Sequence, residues 1–103
     1  MDYKIWLDDQ CFDADLPARQ APDGFIAAPS SLEAMVLVKR YGVPSFIDFD
    51  HDLGEQDNAM VFLKWLSDHY PDVEFEYNIH TANPVGAANI KSYIDSWFRS
   101  RTM

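Results

Sequence analysis

Four short runs of strand-forming residues constrain the fold of this chain more than any other feature: YKIWL (3–7), FIAA (25–28), SFIDF (45–49) and EFEYNI (74–79). The last three are each followed by a stretch of helical period, the signature of βα units and a parallel sheet. Ser30 opens a capping box with Glu33 three residues on, and LEAMVLVKRY then runs to Gly42, a C-terminal stop. A second helix is predicted from Asp57 or Asn58, with Met60, Leu63, Leu66 and Tyr70 on related faces, until Pro71 halts it. Asn83 caps a third, with Pro84 at its first position and Ile90, Tyr93, Ile94, Trp97 and Phe98 as its buried stripe. Residues 10–24 carry Pro17, Pro22 and Gly24 but no convincing period, and are read as an extended loop or a poor helix.

The resulting order, β-loop-β-α-β-α-β-α, together with right-handed crossovers, predicts an α/β fold. It has three layers: a short parallel sheet of four strands in the order 2-1-3-4 with helices on both faces. EFEYNI alternates charged or polar residues with Phe75, Tyr77 and Ile79, as an edge strand with one wetted face does. At 103 residues, the whole chain is expected to be a single domain.

Composition narrows the classes. The chain is 48% hydrophobic, so it has the material for a core, yet no apolar run is long enough for a membrane span. The segment MDYKIWLDD lacks a signal core, and the lone Cys11 has no partner for a disulfide or a metal knuckle, so a cytoplasmic protein is expected. The net charge of −9 repels nucleic-acid backbones and argues against general nucleic-acid binding. Glu74 and Glu76 resist pairing of the edge strand with a second copy, which leaves homo-oligomerisation open.

The acids are not spread evenly. Asp8 and Asp9 follow the first strand, while Asp48, Asp50, Asp52, Glu55 and Asp57 lie in or after the third. In a parallel sheet all strands end at one rim, where the following helices begin, so these tips share a crevice with His51, and with His80, Thr81 and Asn83 from the fourth. Carboxylates that close are costly unless a cation sits among them. Oxygen ligands without cysteine favour magnesium, manganese or calcium over zinc. Helix capping or solvent exposure of Asp50 and Asp52 is the plainer alternative.

Asn83-Pro84-Val85-Gly86 opens a helix whose free N–H groups and dipole favour an anion, and Gly86 permits close approach to its backbone. His51 and His80 titrate near neutrality and are the candidate proton carriers, whereas His69 reads as a C-terminal dipole partner of its helix. Trp6, Trp65 and Trp97 read as core. Ser30, Ser31 and Ser45 lack a histidine–acid arrangement, and there is no glycine-rich phosphate loop.

Leu7-Asp8-Asp9, the D-x-x-L-G at Asp50–Gly54 and Thr81 resemble the receiver domains of two-component signalling, in which Asp8 and Asp9 match the metal-binding pair, Asp50 the phospho-acceptor and Thr81 the hydroxyl. No fifth strand with its lysine follows, which makes a phosphoryl relay an unfavoured reading. The three blocks Leu7-Asp8-Asp9, Asp50-His51-Asp52-Leu53-Gly54 and His80-Thr81-Ala82-Asn83-Pro84-Val85-Gly86 are more similar to the cyclic-phosphate processing receiver-like domains. That resemblance implies a truncated receiver or flavodoxin-like sheet whose rim binds and processes cyclic phosphates of nucleotides or RNA ends. Gln10 and Ala87 stand where that family tends to carry arginines, and arginine is the bidentate phosphate ligand.

The expected function is a phosphoesterase dependent on Mg or Mn. Asp8, Asp9 and Asp50 hold the metal; His51 and His80 exchange protons; Thr81, Asn83 and Gly86 seat the phosphate; Asp48 and Asp52 are additional candidates. The alternatives are a non-catalytic module that sequesters a cyclic nucleotide and an acidic protein-interaction or inhibitor domain.

Overall fold

The computed structural model describes residues 2–100. Four strands, β1 (Lys4–Leu7), β2 (Phe25–Ala28), β3 (Phe46–Phe49) and β4 (Glu76–Ile79), form one parallel sheet in the order β2-β1-β3-β4. Three helices follow β2, β3 and β4: α1 (Ser31–Tyr41), α2 (Ala59–His69) and α3 (Pro84–Ser100). Each begins and ends where its sequence signals place it. The Ser30 side chain accepts from Glu33 N, Asn58 Oδ1 accepts from Met60 N, and Asn83 Oδ1 accepts from Gly86 N. Gly42, at φ 87°, ends α1 in a conformation that costs a side-chain-bearing residue more than glycine.

Strand alternation divides the sheet into two unlike faces. Ile5, Leu7, Ile47 and Phe49 point to one side, where they join Ala34 and Val38 of α1, Phe62, Leu63 and Leu66 of α2, and Ile90 and Ile94 of α3 in a single buried core. Lys4, Trp6, Phe25, Phe46 and Asp48 point to the other. There, the rings of Trp6, Phe25 and Phe46 meet edge to face, and the Lys4 ammonium lies over Phe25 and Phe46.

Helices therefore cover one face only, and the expectation of helices on both is corrected. In the order 2-1-3-4, the β2-to-β3 and β3-to-β4 crossovers run in the same direction, so right-handedness sends α1 and α2 to the same side. The single crossover running the other way, β1 to β2, is the segment without helical period. It forms a loop with one 3-10 turn (Pro17–Arg19), and this loop is the third layer. Phe62→Ala, in the fully buried core, should lower stability by about 3–5 kcal/mol, measured as a fall in urea midpoint with unchanged slope.

Candidate metal and phosphate site at the strand tips

The β-ladder continues one residue past the strands. Asp8 N donates to Ala28 O, Asp50 N to Leu7 O and His80 N to Phe49 O, which sets the three tips side by side. Asp8 is fully buried at 0% exposure and Asp50 is 3% exposed, so both carboxylates are stripped of water and must be satisfied by protein.

Arg19 and His80 satisfy them. Arg19 Nε donates to Asp8 Oδ2 at 2.6 Å, and its Nη2 donates both to Asp8 Oδ1 at 3.0 Å and to Asp50 Oδ2 at 2.5 Å. His80 Nε2 reaches Asp8 Oδ2 at 3.0 Å, and Nδ1 reaches Asp48 Oδ1 at 2.7 Å. With Gln10 N donating to Asp8 Oδ1 at 2.8 Å, Asp8 accepts four hydrogen bonds, one for each of its lone-pair sites.

Each His80 nitrogen lies within hydrogen-bond distance of a carboxylate oxygen, an arrangement that favours the charged ring. Burial opposes that charge, but the hydrogen bonds from Asp48 and Asp8 outweigh it and raise the pKa above 6.5. Trp6 stacks on the ring at 3.9 Å and 5°, a cation–π contact, and its Nε1 donates to Arg19 O at 2.8 Å.

Two groups that sequence reasoning passed over thus complete the site. Arg19 lies in the loop without period, far along the chain from the motifs it serves. Trp6 is buried, as expected of a core residue, but between the inward Ile5 and Leu7 it must face the opposite side, toward Asp48 and His80. That alternation was the available signal. Asp48, an additional candidate, enters the cluster as the acceptor that orients His80, and also accepts from Asn78 Nδ2 at 3.2 Å.

Three buried carboxylates, Asp8, Asp48 and Asp50, face two basic partners, Arg19 and His80, and Asp9 adds a fourth carboxylate. Asp9 is exposed at the same rim. Its pKa is raised, first by partial desolvation and then by the charges of Asp50 and Asp8. This surplus of acidic over basic groups suits a divalent cation. One ligand atom from each of Asp8, Asp50 and His80 also lies within 4.8 Å of the others. The oxygens of Asp8 and Asp50 fit the expected metal once Arg19 leaves them, and His80 would join them only through a nitrogen that carries no proton.

The remaining predicted residues lie across the crevice. Thr81, Asn83 and Asp52 line a cleft of about 240 Å³ together with Asp9, Arg19 and Asp50. Thr81 Oγ1 accepts from Asn83 N at 3.2 Å, and Asn83 Nδ2 donates to Asp52 Oδ2 at 3.3 Å. His51 stands apart from the buried acids. Its Nδ1 pairs with Asp52 Oδ1 at 3.0 Å, a bond that lowers the Asp52 pKa with help from Asn83, and its ring lies on the first turn of α3. The space beside Gly86 is filled by this ring, since a Cβ built there would sit 2.7 Å from His51 Cβ. A larger cleft, about 770 Å³ and lined by Lys4, Phe46, Glu74 and Phe98, lies at the amino ends of the strands, away from this chemistry.

Gly86→Ala should cost about 1–3 kcal/mol by overpacking, and less in a His51→Ala background; a double-mutant cycle in urea measures the coupling. His80 makes a signed pH prediction. Its folded pKa lies above the unfolded 6.5, so its contribution is complete below that value and is lost as pH rises through the folded pKa. Urea midpoints between about pH 6 and about pH 9 should fall with rising pH in metal-free buffer, and Asp48→Asn should flatten that fall.

No curated protein and no solved structure gives a match to this chain. Among the described residues, no helix is long and apolar enough to cross a membrane. The description Cyclic-phosphate processing Receiver domain matches residues 3–96, spanning all four strand tips and the first three turns of α3, and the chain belongs to that family.

Proposed function

We propose that the rim binds a cyclic phosphate ester of a nucleotide or RNA end and opens it by hydrolysis with a divalent cation, Mg or Mn. The observation that carries this reading is the meeting of buried Asp8 and Asp50 with His80, whose pKa is raised, beside a cleft lined by Asp9, Arg19 and Asp50. Asp8, Asp9 and Asp50 would hold the cation, which when bound polarises the phosphoryl oxygens and activates water.

The chain's own residues do the rest. Thr81 and Asn83 seat the phosphate at the start of α3, where the helix dipole favours an anion. Arg19 lines the same cleft and supplies the guanidinium that the positions of Gln10 and Ala87 lack. As water attacks phosphorus and the ring P–O bond breaks, His80 would give its proton to the leaving oxygen and then take up the one released by the water, while Asp48 and Trp6 keep the imidazole oriented. His51 walls the first turn of α3 and enters the proposal as a packing group rather than a second proton carrier. At about 240 Å³, the cleft is smaller than the roughly 300–1,000 Å³ of drug-sized sites, so it engages the phosphate and its ring rather than a whole dinucleotide.

Pure protein with Mg or Mn should consume cyclic mononucleotides or cyclic-phosphate RNA ends, followed by chromatography. His80→Ala should slow turnover by about 10²–10⁴-fold, and Asp50→Ala should abolish the metal requirement together with activity. Unchanged rates in both variants would sink the enzymatic reading. One observation favours a sequestering module instead: every lone-pair site of Asp8 and both His80 nitrogens are committed within the protein. Stoichiometric calorimetric binding of a cyclic nucleotide without turnover would select that second reading.

A further inference from the structure

Arg19 occupies the place where a divalent cation would act. Its guanidinium bridges Asp8 and Asp50, and these two carboxylates, with His80, form the cluster compact enough for a metal. Asp8 has no lone-pair site left for another ligand while Arg19 holds it in two places. A divalent ion bound to the same oxygens would also lie within a few ångströms of the guanidinium, a repulsion that a partly desolvated site screens poorly.

The attachment of Arg19 permits a local exchange. Its backbone is fixed, because the carbonyl accepts from Trp6 Nε1 at 2.8 Å and the residue closes the 3-10 turn Pro17–Arg19. Its side chain, 32% exposed, borders the open cleft. The guanidinium can swing into the cleft by rotating its own torsions, with no strand or helix disturbed.

We propose that Arg19 is an internal counter-ion that holds the acidic cluster together without metal and is displaced from Asp8 and Asp50 when a divalent cation binds. This rests on the metal-assisted reading above and adds its regulation: metal loading and release of the guanidinium are one event. The chain can then fold before it meets metal, with its buried carboxylates already compensated, and the released fork faces the cleft in which a phosphate would sit.

The test uses the full chain and Mn or Mg alone. Manganese binding followed by electron paramagnetic resonance should be tighter in Arg19→Gln than in the parent, within the roughly 5- to 150-fold range of coupling between linked sites. Removing any nearby positive charge helps a cation, so a second reading is needed. In the parent protein, the Nε–H proton resonance of Arg19, sheltered by its bond to Asp8, should vanish or move to a solvent-exchanging position as magnesium saturates the site.

If the resonance is unchanged at saturation, or manganese binds both proteins equally, the counter-ion role is overturned while the metal-assisted function stands. If manganese binds neither protein, both fall. Should Arg19→Gln fail to fold, the magnesium titration of the parent decides alone.

Discussion

A carboxylate with no access to water, Asp8, governs the arrangement of everything around it. Moving an ionised group out of water costs several kcal/mol unless charge and hydrogen bonds replace the solvent. Asp8 obtains them from three separate parts of the chain: the backbone at Gln10, the loop residue Arg19, and His80 at the tip of β4. Each donor brings its own requirements. His80 needs a second acceptor, which is why an aspartate at 48 is tolerable inside a core strand, and it needs a surface to lie on, which Trp6 provides. Arg19 has capacity left after Asp8 and uses it on Asp50. Asp48 and Asp50 are therefore parts of a network closed around one buried anion.

That network can exist only because the sheet is covered unequally. A helix between β1 and β2 would lie over the face that carries Trp6 and Asp48, as α1 and α2 lie over the other. An irregular segment with two prolines and a single 3-10 turn takes its place and lets one side chain reach back to the tips of β1 and β3. The same handedness rule that stacks α1 and α2 on one side leaves this gap on the other. The loss of regular structure is thus what makes room for the guanidinium.

The framework of this arrangement is legible in the sequence because it rests on local chemistry. Ser30, Asn58, Asn83 and Gly42 declare the helix ends through hydrogen bonds made within four residues, and alternation in four short runs gives the strands and, with handedness, their order. The convergence of Asp8, Asp50 and His80 follows from that order alone. Arg19 does not, because nothing in its neighbourhood has a period, and its partners are set by a loop path that local rules do not determine. Charge counting offers the one sequence-level hint: three carboxylates destined for a buried rim need cations, and the blocks that carry them hold no lysine or arginine. Where the ligands of a metal site are being inferred from a strand-tip motif, a basic residue in the adjoining aperiodic segment is the natural place to look for what holds the site in the metal-free state.

The two histidines, equivalent as sequence, are separated by the partners that the fold gives them. His80 follows an edge strand and lies flat on Trp6, with an aspartate at each nitrogen, so the charged form of its ring is favoured. His51 comes one residue after Asp50, where the chain turns away from the sheet. It spends one nitrogen on the exposed Asp52 and its ring on the bare backbone of Gly86. Glycine at 86 makes room for His51: the absent Cβ is what allows the β3 loop to press against the start of α3. That contact, with the Asn83–Asp52 hydrogen bond beside it, fixes the anion-favouring end of α3 relative to the acidic tips. A cation site and an anion site serve one ligand only if their separation is constant, and in the proposed reading His51 would keep it so.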